Sequence, residues 1–243
     1  MKRILVIGDI HGGLKAVHQV FEKARVTNED QLIFLGDFVD GWSESAGVVD
    51  YMIQLSSSNH CIFIKGNHDA WAEGWLRNGH TDDIWLNNGG NETIESYAAA
   101  GEAKKLQHLI FLEQMPYYYI DEQNRLFIHA GFTSMHGPQK EFHDPNFSWD
   151  RTLWETALAM DKRIPKSSIL FPKRLALFSE IYIGHTPTLY YNEAVPMQGS
   201  NVWNIDTGAA FYGKLSVLNI DTKQYWQSDP VYNLYPGETG RNK

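Results

Sequence analysis

Residues 4–11 read ILVIGDIH, and this stretch decides the fold. An unbroken apolar run, Ile4 to Ile7, stops at Gly8, and Asp9 and His11 follow with one residue between them. A short apolar run without polar alternation suits a strand covered on both faces. The same device returns in LIFLGDFVD (32–40), CIFIKGNHD (61–69), LFIHAG (126–131) and IYIGHT (181–186). In each, the Asp, Asn or His cluster lies at the C-terminal end of its run. If such strands share a sheet, their loops gather along one edge, where α/β proteins build their sites.

Helical patterns fill the gaps. Leu14, Val17, Val20, Phe21 and Ala24 recur at helical spacing within 14–25, and residues 44–56 and 70–77 follow the second and third runs. The first 77 residues therefore read β-α-β-α-β-α. Helices are also expected over 92–114 and 149–162. After residue 181 the pattern turns strand-rich (NVWNIDTG, KLSVLNID, QYWQSD), which predicts antiparallel strands completing a second sheet. The expected fold class is α/β, a two-sheet core flanked by helices.

The 243 residues, 43% hydrophobic and 13% aromatic, allow a sizeable core. A net charge of -8 argues against nucleic acid and anionic membranes as partners, since both require a basic surface. The single cysteine, Cys61, excludes an internal disulfide framework and reads as a strand residue rather than a reactive thiol. No stretch approaches the roughly 18 apolar residues of a membrane span, and the N-terminus lacks a signal-peptide pattern, so the expected location is cytoplasmic. There is no G-x-S-x-G elbow, no H-E-x-x-H and no G-x-x-x-x-G-K-[ST] loop.

The five loops together offer Asp9, His11, Asp37, Asp40, Asn67, His68, Asp69, His129 and His185. Mixed carboxylate, amide and imidazole ligands suit manganese, iron or zinc, and the set lacks the thiolates of a structural zinc site. Too many ligands converge for one ion, so two are expected. Asp69 reads as a helix cap.

GDIHG (8–12), GDFVDG (36–41), GNHD (66–69), HAG (129–131) and GHT (184–186), with WLNNGGNETIESY (85–97) and WDRTLW (149–154), resemble the phosphoprotein phosphatase family of the calcineurin-like metallophosphoesterases over about residues 1–210. The resemblance implies a β-sandwich flanked by helices around a dinuclear centre, here one domain over 1–243 with helical insertions near 70–115 and 133–178. It implies that Asp9 and His11 hold a first metal, that Asp37 bridges, and that Asn67, His129 and His185 complete the second. His68 would be the general acid, oriented by Asp40, and Arg151 the phosphate clamp, with Asn67 also on the phosphate side. The cofactors would be two divalent ions, manganese first, with iron or zinc accepting the same ligands.

The chemistry is coherent without the likeness. Two cations neutralise phosphate oxygens and turn a bridging water into hydroxide near neutral pH. The leaving alkoxide needs a proton, which an imidazole paired with a carboxylate can give. An arginine fork suits a tetrahedral phosphate.

One departure stands out. The family motif reads G-D-x-V-D-R-G, whereas Gly41 occupies the arginine's place here. Arg77 is the sequence's candidate substitute, and Trp42 could offer an apolar wall for an aromatic leaving group such as phosphotyrosine. The expected function is a metal-dependent phosphatase acting on phosphoserine or phosphothreonine in proteins, or on phosphotyrosine or a small phosphate ester. The alternatives are a bis(5'-nucleosyl)-tetraphosphatase and a binding module that keeps its metals without turnover. The sequence leaves the oligomeric state open.

Overall fold

The computed structural model describes residues 3–242. In chain order the elements are β1 (Ile4–Ile7), α1 (Leu14–Ala24), β2 (Gln31–Phe34), α2 (Ser45–Leu55), β3 (His60–Phe63), α3 (Asn67–Asn78), α4 (Asp83–Trp85), α5 (Asn91–Ser96) and α6 (Glu102–Glu113). There follow β4 (Tyr118–Ile120), β5 (Leu126–Ile128), α7 (Asn146–Trp149), α8 (Thr152–Ala159), α9 (Lys173–Ala176), β6 (Ile181–Ile183), β7 (Met197–Gly199), β8 (Val202–Asn204), β9 (Ser216–Asn219), β10 (Tyr225–Gln227) and α10 (Val231–Leu234).

The strands form two five-stranded mixed sheets, ordered β10-β9-β1-β2-β3 and β4-β5-β6-β8-β7. In the first, β1, β2 and β3 run parallel; in the second, β5, β6 and β8 do. The apolar runs are continuous because both faces of each strand are covered. Leu5, Ile7, Leu32 and Phe34 face the helices α1 and α2, while Val6, Ile33 and Leu35 face the opposite sheet. Across the gap, Phe127 and Tyr182 stack with centroids 5.0 Å apart, and Leu126, Ile128, Ile181 and Ile183 turn outward to α8 and α9. Cys61 lies on β3, and burial pushes its thiol up to about 12, so it stays protonated. Among the described residues no helix is long and apolar enough to cross a membrane.

Three local expectations are corrected. The late strands do not all build the second sheet: β8 joins it, but β9 and β10 return to pair antiparallel beside β1. The helix expected at 70 begins at Asn67, because Gly66 stays extended and the Asp69 carboxylate accepts the Gly66 N–H at 2.9 Å. The segments 92–114 and 149–162 are broken helices. Buried Tyr97 ends α5, with its hydroxyl 2.8 Å from His108 Nδ1, and Asp150 leaves the helical region to cap α8 through the N–H groups of Thr152 and Leu153, each at 3.1 Å.

The loop after β5 is tied down by Glu141. Its carboxylate accepts the N–H of Thr133 at 2.6 Å, that of Ser134 at 3.1 Å, and the Asn146 amide at 3.1 Å. Burial opposes the charge, but these donors hold the carboxyl down to about 2 against an ordinary 4.5. A depressed folded value contributes stability above the ordinary value, lost as pH falls toward the folded one. Glu141→Gln is therefore expected to melt below the wild type at pH 7. The gap should narrow as the pH falls from 4.5 toward 2, which thermal melts of both proteins across that range would check.

Candidate metal centre

The C-terminal ends of the parallel strands of both sheets meet at one place. After β1 come Asp9 and His11, after β2 Asp37 and Asp40, and at the start of α3 Asn67 and His68; the second sheet brings His129, His185 and Asp206. All are buried. His11, Asp37, Asp40 and His185 have left-handed backbones, with φ of 52, 54, 72 and 66°. Each such residue costs on the order of 1 kcal/mol or more and persists only when its surroundings hold it. Here they do. Ile10 and His11 donate to the Asp37 carbonyl at 3.0 and 2.9 Å, and Asp69 accepts the N–H groups of Asp37 and Phe38 at 2.8 Å each. Asp69 thus fastens the GDFVD loop as well as its own helix. The glycines of the motifs make room for carboxylates: a Cβ on Gly66 would stand 2.1 Å from Asp37 Oδ1, and one on Gly184 2.1 Å from Asp9 Oδ1.

Two triads, His11–Asp37–His68 and Asp37–His129–His185, each place their potential ligand atoms within 4.8 Å of one another. Asp37 belongs to both. Its Oδ2 is 3.6 Å from His11 Nε2 and 3.3 Å from His129 Nε2. Asn67 Oδ1 lies 3.1 Å from His129 Nε2 and 3.0 Å from His185 Nδ1. Asp9 stands just outside the triads, 4.0 Å from His11 Nε2, and among the described residues its Oδ1 is buried without a hydrogen-bond partner, as is His185 Nε2.

These residues fit cations. His11 Nδ1 lies 3.1 Å from the Asp40 carbonyl and His129 Nδ1 2.7 Å from the Leu35 carbonyl, so each ring can spend one N–H on the main chain and turn the other nitrogen to Asp37. The buried groups of the cluster oppose one another electrostatically. Burial, then Asp206, pushes the Asp9 carboxyl well above the usual range. Burial, then neighbouring His68, pushes His11 well below its usual value, and burial with His129 does the same to His185. Burial opposes charge on His129, yet Asp37 and Asp9 raise it to about 10. Two buried His/Asp triads sharing one carboxylate suit a dinuclear metal site.

His68, a member of the first triad, also turns its Nδ1 to Asp40 Oδ2 at 2.6 Å. Asp40 is itself held by Trp85 Nε1 at 2.8 Å and the Thr93 hydroxyl at 2.5 Å. Both partners belong to the 85–97 stretch, which fixes the acid pair from outside the strand ends. A cavity of about 210 Å³ opens above, lined among others by His68, Trp71, Asn88, Trp149, Arg151 and Arg241. Arg151 is the N-cap residue of α8, and its guanidinium makes no hydrogen bond among the described residues. The aromatic wall is not Trp42, which is fully buried, donates to the Ala209 carbonyl at 2.8 Å and stacks on Tyr235. Trp71 and Trp149 form it, edge to face, between His68 and His185. Nor does Arg77 substitute at the site, because it is exposed and paired with Glu73 and Glu113. Two further residues were unforeseen. Asp206, whose carboxyl burial raises to about 6, ends an apolar run (VWNID) by the same device as the others; Arg241 had no such signal.

Paired strand-end triads, an imidazole–carboxylate couple and arginines around one pocket define a metal-dependent phosphoester hydrolase. The sequence pattern of calcineurin-like phosphoesterases matches residues 2–198, and the chain belongs to that family. It is a metallophosphoesterase with a phosphoester substrate. It is 24% identical, across 92% of its length and 90% of the relative's, to the Bis(5'-nucleosyl)-tetraphosphatase PrpE [asymmetrical] of Oceanobacillus iheyensis. It is also 24% identical, across 90% of its length and 92% of the relative's, to Serine/threonine-protein phosphatase 1 of Salmonella typhimurium. Among solved structures, one described as a candidate diadenosine tetraphosphatase shares the fold, with a TM-score of 0.64 and 15% identity over 93% of this chain and 92% of the other.

Proposed function

We propose that the chain hydrolyses phosphate monoesters on protein side chains, phosphoserine and phosphothreonine first, with phosphotyrosine within the same chemistry. The observation that carries this reading is the size of the pocket beside the triads. About 210 Å³ beside the triads, walled by Trp71 and Trp149, accommodates a phosphorylated side chain. The net charge of -8 also works against a long polyphosphate.

In this reading Asp9, His11, Asp37, Asn67, His129 and His185 hold two divalent cations. Such ions, when bound, neutralise phosphate oxygens and lower the pKa of a coordinated water towards about 7. His68 keeps Nδ1 on Asp40 and delivers a proton from Nε2 to the leaving oxygen. Trp71 and Trp149 exclude water along the leaving group's path. Arg151 grips the phosphate with its fork. Arg151→Ala is expected to raise KM and lower kcat, costing roughly 10–100-fold in kcat/KM, the worth of a charged hydrogen-bonding group. Unchanged steady-state kinetics on a phosphopeptide would move the clamp elsewhere.

A second reading, an asymmetrical bis(5'-nucleosyl)-tetraphosphatase, is favoured by the rings at the mouth. Trp149 and Tyr190, 42% and 65% exposed, could stack a base, and one relative carries that activity in its name. Manganese-loaded protein should be assayed at equal concentration on phosphopeptides, diadenosine tetraphosphate and p-nitrophenyl phosphate. The expected result is a higher kcat/KM on phosphopeptide than on the tetraphosphate. The reverse order favours the second reading, and no hydrolysis above a metal-free blank favours a binding module.

A further inference from the structure

The pocket holds an arginine that enters from the far end of the chain. Arg241 lines the same cavity as Asp37, His68, Arg151 and His185. Its main-chain N–H donates to the Ala210 carbonyl at 2.9 Å, and its guanidinium carbon stands 5.2 Å from the centre of the Phe211 ring. Nη2 donates to Asn88 Oδ1 at 2.8 Å. Nε is buried and has no hydrogen-bond partner among the described residues. A guanidinium carries five N–H donors, and a buried donor left unspent is costly unless an acceptor arrives.

The tail is fastened so that this side chain is delivered reproducibly. The Ser43 N–H and hydroxyl both donate to the Glu238 carboxylate, at 3.0 and 2.7 Å. Gly240 lies flat on the Trp42 indole, where a Cβ would come within 2.6 Å of the ring. That contact explains why Trp42 is buried: it is the floor under the tail. Gly41 has φ of +111°, a backbone that disfavours any side chain, and a Cβ there would meet Arg241 Cγ and the His11 carbonyl oxygen, each at 3.4 Å. The space that a side chain at position 41 would enter is bordered by the stem of Arg241.

We propose that Arg241 binds the substrate's phosphoryl group together with Arg151, supplying from the C-terminal tail the second arginine that position 41 does not provide. Asn88, in the NNGG turn, is its positioning residue, and the group recognised is a tetrahedral phosphoryl anion, whether ester or free phosphate. The proposal rests on the phosphoesterase reading and deepens it.

The test uses the full chain loaded with manganese and inorganic phosphate as the probe, binding being measured by calorimetry. Thermal melts without phosphate and steady-state kinetics on p-nitrophenyl phosphate accompany it. Arg241→Gln is expected to weaken phosphate binding about 10-fold or more and to raise KM more than it lowers kcat, with the melting midpoint unmoved. Arg241→Lys, which keeps the charge but not the fork, should recover only part of the affinity. An unchanged phosphate dissociation constant in Arg241→Gln overturns the proposal. So does a loss of affinity accompanied by a matching fall in the phosphate-free melting midpoint, which marks a structural role. The two readings fail separately. Wild-type protein that binds phosphate but hydrolyses no ester defeats the proposed hydrolysis and leaves Arg241 as an anion ligand. Hydrolysis that survives Arg241→Gln with full phosphate affinity defeats the role of Arg241 alone.

Discussion

Asp37→Asn is expected to lose both metals together, and activity with them. Asp37 is the only residue common to the two triads, and its Oδ2 lies between His11 and His129. Burial opposes its ionisation, but His129 and His68 hold its carboxyl well below the usual range, so it is the dependable negative charge of the cluster. Asparagine keeps the shape and tolerates the φ of 54°. It also keeps the main-chain bonds to Ile10, His11 and Asp69, so the loop should stay folded. What disappears is one charge seen by two cations at once. Outer partners of metal ligands are typically worth about 10–100-fold in metal affinity, and a shared ligand should exceed that for each ion. Elemental analysis after dialysis, beside circular dichroism, would check it. Full occupancy with normal turnover would remove Asp37 from the bridging role.

His68→Asn should slow turnover according to how badly the leaving group needs a proton. A serine or threonine alkoxide is a poor leaving group and depends on the acid, whereas p-nitrophenolate leaves unaided. A loss of about 10²–10⁴-fold is expected on phosphoserine peptides, the usual worth of a positioned acid, with little loss on p-nitrophenyl phosphate. The Asp40 carboxylate, fixed by Trp85 and Thr93, should make Asp40→Asn behave similarly but more mildly. Comparing kcat on the two substrates decides the matter, because equal losses would mean that His68 serves the metals or the fold instead.

The parallel strands were legible because each is an unbroken apolar run, and their burial on both faces requires that pattern: Leu5 and Ile7 meet helices while Val6 meets the other sheet. The residues that converge could be read for the same reason, since a strand's end fixes where its next side chains go. Sheet membership of β9 and β10 could not, because pairing partners far apart in sequence leave no local mark. The burial of Trp42 leaves no local mark either, because it depends on Tyr235 and Gly240, nearly two hundred residues later. Arg241 sits in the polar tail GETGRNK, which has no periodicity to read. Asp206 does leave a mark, since NID repeats the arrangement of GD at the other strand ends.

The two sheets contribute unequal shares to one cluster: Asp9, His11, Asp37 and Asn67 come from one, His129, His185 and Asp206 from the other. Asp37 and His129 together would hold an ion across the sandwich, between halves that also meet through the apolar layer of Val6, Ile33, Phe127 and Tyr182. Retaining the ion and keeping the halves closed become a single equilibrium. Under metal starvation the protein would slacken as a body in the same step that silences its chemistry.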